Sequence, residues 1–230
     1  KYRLVGSEMC IRDSLYPAAK YLLSAIYEGA LTNFDNALRI EARWFTKILS
    51  EKSTKNMIRT LFINKTALEK GLKRPSLDSK KTIFKKIGVV GAGMMGTGIA
   101  YTAALNGMNV TLIDKDIEVA KKGINDIDQI LLLGLRRGKI TEEQKKEVLD
   151  RITPSNSYED LKAVNLVIEA VFEDIEIKEK VLNQIQNNIG QDTIIASNTS
   201  TLPISELAKS VNNQEKFIGI HFFSPVHKMN

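Results

Sequence analysis

The hexapeptide Gly91-Ala92-Gly93-Met94-Met95-Gly96 follows a four-residue apolar run, Ile87 to Val90, and opens a helical stretch. Each glycine there answers a separate need of a phosphate-binding turn. Gly91 lets the chain turn sharply out of a strand, Gly93 removes the side chain where a pyrophosphate must approach the backbone, and Gly96 lets the helix press against the sheet. The free N–H groups and positive dipole end of the new helix then face the phosphates. Asp114 stands 23 positions after Gly91, at the end of the alternating run Asn109-Val110-Thr111-Leu112-Ile113. A carboxylate at that strand tip accepts both ribose hydroxyls and repels a 2′-phosphate, so the expected cofactor is NAD rather than NADP.

Three more polar sets come directly after apolar runs: Glu173-Asp174, Asn198-Thr199-Ser200-Thr201, and His221. Taken singly, each has a local explanation. The stretch 197–201 would cap the helix after Pro203, Glu173 would be an early-helix acid favoured by the dipole, and His221 would be satisfied by a backbone carbonyl. Together they fall on the edge where the glycine turn sets a nicotinamide. A base beside that ring can take the proton of a secondary alcohol while hydride leaves the carbon, and imidazole ordinarily titrates near neutral pH. A hydroxyl such as that of Ser200 can orient the reacting oxygen.

The elements that must position these groups alternate between strand and helix. Apolar runs at 87–90, 109–113, 166–171, 193–197 and 216–222 read as strands. Between them, 117–137 is a helix closed by Gly138, Thr141-Glu142-Glu143-Gln144 is a capping box opening another to about Leu149, and 174–188 and 203–210 are further helices. Continuous apolar strands separated by amphipathic helices mean a parallel sheet covered on both faces, with ligands beyond the carboxyl ends of its strands. Two helices between the second and third strands exceed a minimal dinucleotide fold and would build a wall over the cleft.

Upstream, residues 15–71 read as helices. Pro17 suits a first turn, a second helix starts near Asn33, and Ser53 is expected to cap a third that Gly71 ends. Their apolar stripes want a packing partner, and nothing in them looks catalytic. From Lys65 to Lys86, eight basic residues meet two acids, a surplus of 8 − 2 = +6 that equals the whole chain's net charge. With Pro75, Ser76 and Ser79 breaking it, this reads as an exposed interdomain linker. Only Phe84 interleaves those charges with an aromatic ring, so no nucleic acid is expected as a partner. No apolar run approaches the roughly 18 residues of a membrane span.

The one cysteine, Cys10, lies in the aperiodic stretch Ser7-Glu8-Met9-Cys10-Ile11-Arg12-Asp13-Ser14. That stretch resembles translated sequencing-adapter read-through and is set aside as non-native, which removes thiol chemistry from consideration. No metal site is assigned. The chain begins with Lys1 and stops at Asn230 inside a motif, and so reads as a fragment at both ends.

The segments GVVGAGMMGTGIA, LVIEAVFED, ASNTSTLPI and GIHFFSPVHKM, in this order, resemble the nucleotide-binding domain of the 3-hydroxyacyl-CoA dehydrogenases. The stretch YPAAKYLLSAIYEGALTNFDNALRIEARWFTKIL is similar to the end of the enoyl-CoA hydratase module and connecting helices of multifunctional fatty-acid oxidation enzymes. The resemblance implies a Rossmann-like doubly wound parallel α/β sheet with a preceding helical linker segment. It divides the chain into a non-native segment at 1–14, a helical tail with basic linker at 15–82, and an NAD-binding domain at 83–230. It further implies that Gly91, Gly93, Met94, Met95 and Gly96 hold the pyrophosphate of NAD and Asp114 the adenosine ribose. Glu173, Lys178 and Asn198 would line the cofactor site, Ser200 would contact the oxygen at C3 of an acyl-CoA substrate, and His221 would be the general base. A cytoplasmic, oligomeric parent with a thiolase subunit as partner is expected. In the family a glutamate about a dozen residues beyond the histidine pairs with it, a position past Asn230. Two rival readings stay open: an NAD-linked hydroxy-acid dehydrogenase, and an NAD-binding module without catalysis.

Overall fold

The computed structural model describes residues 16–72 and 82–228. The segment set aside as non-native and residues 73–81 of the basic linker lie outside the described residues. The chain divides into two compact units, Lys1–Lys81 and Thr82–Asn230.

In the first unit, α1 (Pro17–Gly29) begins on its proline, and α2 (Phe34–Ser50) is capped by Asn33, whose side-chain oxygen accepts the Asn36 amide at 3.0 Å. The two helices are clasped by stacked Tyr21 and Trp44 rings at 5.3 Å, by the Trp44 indole donating to Glu28, and by an Arg43–Glu28 ion pair. Ser53 does not cap the third helix. Glu51 is the single extended residue between α2 and α3 (Lys52–Ile58), so Ser53 falls inside the first turn. A π-helical turn, Arg59–Asn64, leads into α4 (Lys65–Glu69), and Gly71 at φ 69° closes it. No residue within α1 to α4 is buried. The apolar stripes expected to pack remain open, with Leu22, Ile26, Phe34, Phe45 and Phe62 all exposed.

The second unit is a six-stranded sheet in the order β3-β2-β1-β4-β5-β6, every pair parallel. Its elements are β1 (Lys86–Val90), α5 (Met94–Leu105), β2 (Asn109–Ile113), α6 (Ile117–Arg136), α7 (Glu142–Asp150), β3 (Ile152–Ser155), β4 (Leu166–Glu169), α8 (Ile175–Gln186), β5 (Ile194–Ser197), α9 (Ile204–Leu207) and β6 (Phe217–Gly219). Alternate strand residues feed two cores. Val89, Leu112, Ile168 and Ala196 meet Ile99, Ile127 and Leu131 on one face; Val90, Ile113, Val167 and Ile195 meet Leu182, Ile185 and Leu207 on the other. Burial on both faces is why these strands read as unbroken apolar runs. The Thr141–Gln144 capping box opens α7, and Gly138 at φ 64° follows α6.

Three strands differ from expectation, β4 among them in stopping at Glu169 rather than Val171. β3 is not legible as a strand in the sequence because it is four residues long and carries Pro154. At the sheet edge it pairs only with β2, and its backbone bonds pass through Arg151 and Ser155, so the missing proline N–H points away from the ladder. β6 ends at Gly219 rather than Phe222, because the Asn198 side chain takes the Phe222 amide at 2.8 Å and draws the chain off the strand path. The expected helix at 203–210 is one α turn followed by a 3₁₀ turn, Ala208–Ser210.

The register aligns Val90 with Ile113 and with Glu169, Glu169 with Ser197, and Ser197 with Gly219. The segments that follow these five residues therefore leave the sheet along one edge. That edge contains the switch point between β1 and β4, where strand order reverses.

Candidate active site

The glycine turn is built as its spacing requires. Gly91 has φ 103°, and a Cβ there would lie 2.7 Å from the Ala170 carbonyl oxygen, so both conformation and the approach of β4 demand glycine. A Cβ on Gly96 would fall 1.7 Å from the Gly91 carbonyl oxygen, which is how closely α5 rests on the turn. A Cβ on Gly93 would meet nothing within 4 Å. That is the open side of the turn. Gly93 also precedes α5 without a side-chain cap, so the first-turn amides of Met94, Met95 and Gly96 have no intrahelical acceptor. An open cradle facing uncapped amides fits a dinucleotide pyrophosphate.

Asp114 closes the other side of this cradle. Its Oδ2 accepts the Ala92 amide and its Oδ1 the Lys115 amide, both at 2.8 Å, so the carboxylate ties the tip of β2 to the glycine turn. The Met94 side chain is exposed, whereas Met95 packs against the core and offers the site only its backbone.

Beyond β4, Glu173 reaches across to the segment after β5. One carboxylate oxygen accepts the Thr199 hydroxyl (2.7 Å), the Ser200 amide (2.7 Å), the Thr201 amide (3.0 Å) and the Ser200 hydroxyl (3.1 Å), while the other faces Lys178 Nζ at 3.3 Å. Partial burial pushes the Glu173 carboxyl up, but the Thr199 hydroxyl, the two amides and the Lys178 ammonium outweigh it and hold the group down at about 2. Since its folded value lies below the ordinary one of about 4.3, this latch contributes fully above that pH and is lost as pH falls through about 2. A carboxyl-carbon NMR titration of Glu173 should find its midpoint near about 2; a midpoint at the ordinary glutamate value would contradict the latch.

Lys178 itself is 1% exposed and is turned inward, to Glu169 Oε1 at 2.8 Å and the Val171 carbonyl at 3.3 Å. It sits behind the site rather than lining it. Asn198 is similarly buried, its side-chain oxygen holding the Phe222 amide and its own amide bonded to the Glu169 carbonyl. Through Asn198 the segment carrying His221 is fastened to the end of β5. The His221 ring is exposed, makes no hydrogen bond or ion pair among the described residues, and meets the Phe223 ring edge-on at 4.8 Å. It is not bonded to Ser200.

Sequence reasoning missed two features. Glu169 is fully buried; an acid ending an otherwise apolar strand was the available signal, because such a group requires a partner. The residues after His221 do not trail away. Val226 is buried against Gly98 and the His227 ring stands edge-on to Tyr101, closing a cleft of about 390 Å³ with Gly93, Met94, Lys122 and Asp126.

The chain is similar to known proteins. The family described as 3-hydroxyacyl-CoA dehydrogenase, NAD binding domain, matches residues 86–230. The alpha subunits of the fatty acid oxidation complex from Pseudomonas syringae pv. tomato and Acinetobacter baumannii are 39% and 40% identical to this chain over 214 residues. Each alignment covers 93% of the chain and 29% of the relative. The chain thus spans less than a third of the length of those relatives. Among solved structures, (S)-3-hydroxybutyryl-CoA dehydrogenase from Ralstonia eutropha superposes with a TM-score of 0.63 at 42% identity, over 64% of this chain and 52% of that one. The 3-hydroxybutyryl-CoA dehydrogenase from Escherichia coli K12 gives 0.63 at 34% identity, over 64% and 31%. With the glycine turn, the Asp114 clamp and the six-stranded parallel sheet, the match over residues 86–230 places the chain in the family of the 3-hydroxyacyl-CoA dehydrogenase NAD-binding domain.

Proposed function

We propose that this chain is the cofactor-binding part of an NAD-dependent 3-hydroxyacyl-CoA dehydrogenase that oxidises 3-hydroxyacyl-CoA to 3-oxoacyl-CoA in fatty-acid β-oxidation. The observation that carries the reading is the alignment of the glycine turn, the Ser200 segment and the His221 segment along one sheet edge. Gly91, Gly93 and Gly96, with the Met94 and Met95 amides, hold the pyrophosphate, and Asp114 holds the adenosine ribose. Glu173, backed by Lys178, and Asn198 shape the nicotinamide end. NAD, when bound, supplies the hydride acceptor. His221 takes the proton of the C3 hydroxyl on a ring nitrogen, and the Ser200 hydroxyl orients the oxygen as it becomes a carbonyl.

The likeness to fatty acid oxidation complex alpha subunits over nearly the whole chain supports a multifunctional parent, with an enoyl-CoA hydratase module to which α1 to α4 belong. On this reading the parent is a cytoplasmic oligomer with a thiolase subunit as partner. No helix among the described residues is long and apolar enough to cross a membrane.

Assaying the complete protein with 3-hydroxyacyl-CoA thioesters and with free hydroxy acids separates this reading from its rival. Reduction of NAD only by the thioesters is expected; reduction by hydroxy acids alone would replace the proposal. For Asp114, exchange to alanine removes both the ribose acceptor and the clamp on Ala92. Calorimetric titration should show NAD affinity falling by about 10- to 100-fold, the worth of a charged hydrogen bond, with the preference over NADP largely gone. A preference that survives would take Asp114 out of cofactor selection.

A further inference from the structure

Three polar side chains are fully buried beneath the site edge, and of these only Lys178 enters the arrangement proposed above, behind Glu173. Glu169 ends β4 and is 0% exposed, Ser197 ends β5 and is 0% exposed, and Lys178 in the first turns of α8 is 1% exposed. Two opposite charges taken fully out of water seldom gain stability over a pair of apolar residues of the same size, because desolvation offsets their attraction. Removing one partner alone, by contrast, is strongly destabilising. Stability by itself therefore gives a weak reason for this pair.

Its connections supply a stronger one. Glu169 Oε2 accepts the Ser197 hydroxyl at 2.6 Å, while Oε1 accepts Lys178 Nζ and the Val171 amide, each at 2.8 Å. Three bonds thus tie that carboxylate to β5, to α8 and to the chain just beyond β4. Lys178 passes the constraint onward, standing 3.3 Å from Glu173 Oε2, and Glu173 Oε1 gathers the Thr199 hydroxyl and the Ser200 and Thr201 amides. A continuous polar path runs Ser197, Glu169, Lys178, Glu173, Ser200, from the rigid floor of the sheet to an exposed hydroxyl. Glu173 is the one carboxylate in it that reaches the surface, at 34% exposure; the Thr199–Thr201 segment holds its Oε1, and Lys178 is the cation that faces its Oε2.

We propose that Glu169 and Lys178 are positioning residues: Glu169 fixes the Lys178 ammonium, the ammonium orients the Glu173 carboxylate, and that carboxylate holds Ser200 where a substrate oxygen meets it. The last step rests on the role proposed for Ser200; the others do not. Neither buried residue touches a reacting atom.

The test is amide hydrogen exchange on the full 230-residue chain, read at Ser200 and Thr201 against Val89 and Leu112 in the middle of the sheet. In Glu169→Gln, the Ser200 and Thr201 amides should exchange about tenfold faster, the effect of one lost hydrogen bond, with Val89 and Leu112 unchanged. The double variant Glu169→Gln/Lys178→Met removes both charges, so it stays folded even if the single one does not. It too should leave the Ser200 and Thr201 amides fast, because Glu173 has lost its anchor. Unchanged protection at Ser200 and Thr201 in the double variant would overturn the proposal, as would a loop whose protection returns together with that of the sheet. In the complete protein the same double variant should lower kcat for the thioester about tenfold. Exchange needs no substrate, so it judges the relay even if the dehydrogenase reading fails.

Discussion

Glutamine in place of His221 should abolish turnover of the complete protein, by about 10²- to 10⁴-fold, while leaving NAD affinity within about twofold. The separation follows from where the ring stands. It lies two residues beyond β6, exposed, edge-on to the Phe223 ring and without a hydrogen bond or ion pair among the described residues, so its exchange strands no buried partner there. The backbone around it is held independently, by the Ile220 amide on the Ser197 carbonyl and the Phe222 amide on Asn198. The glycine turn follows β1, three strand steps away in the order β1-β4-β5-β6, or about 14 Å at ordinary strand spacing. Pyrophosphate binding therefore does not feel the change, and loss of rate without loss of cofactor is the signature of a base. Steady-state kinetics beside NAD titration would show it. Full activity in the variant would remove His221 from the chemistry.

The second large effect separates two glycines three residues apart. Alanine at Gly96 sets a methyl 1.7 Å from the Gly91 carbonyl oxygen, and α5 must lift off the turn to admit it. Overpacking of this kind costs about 1–3 kcal/mol or more, so both thermal stability and NAD binding should drop. Alanine at Gly93 meets no protein atom within 4 Å, and the folded chain should keep its melting temperature. The same methyl occupies the space through which a pyrophosphate approaches the backbone, so NAD binding should still be lost. Melting curves and calorimetry on the two variants give the comparison. A Gly93→Ala chain that binds NAD normally would mean the cofactor does not lie over this turn.

What the sequence reveals depends on how local the governing physics is. The turn at 91–96, the capping box at Thr141 and the stop at Gly138 are decided within a few residues, and each is found where its signal lies. The doubly covered parallel sheet is equally legible, since burial on both faces writes itself as unbroken apolar runs. Edges are harder to read. β3 depends on Pro154 having its missing N–H face outward, and the end of β6 depends on a side chain 24 positions away taking the Phe222 amide. The site shows the same division. Asp114 and Glu173 are recognised by position, but that Lys178 turns inward to a buried Glu169 follows from strand register, which aligns Glu169 with Ser197 and brings α8 over both. The stripes of α1 to α4 predict packing, yet they stay open because the described part of that unit buries none of them.

In the proposed function, hydride passes at this edge from C3 of a 3-hydroxyacyl-CoA to NAD. Incubating the complete protein with NAD and a 3-hydroxyacyl-CoA deuterated at C3, then weighing the reduced cofactor by mass spectrometry, tests it directly. The expected product is reduced cofactor carrying one deuterium for each 3-oxoacyl-CoA formed. Reduced cofactor without the label, or thioester left unoxidised by an NAD-loaded protein, would contradict it.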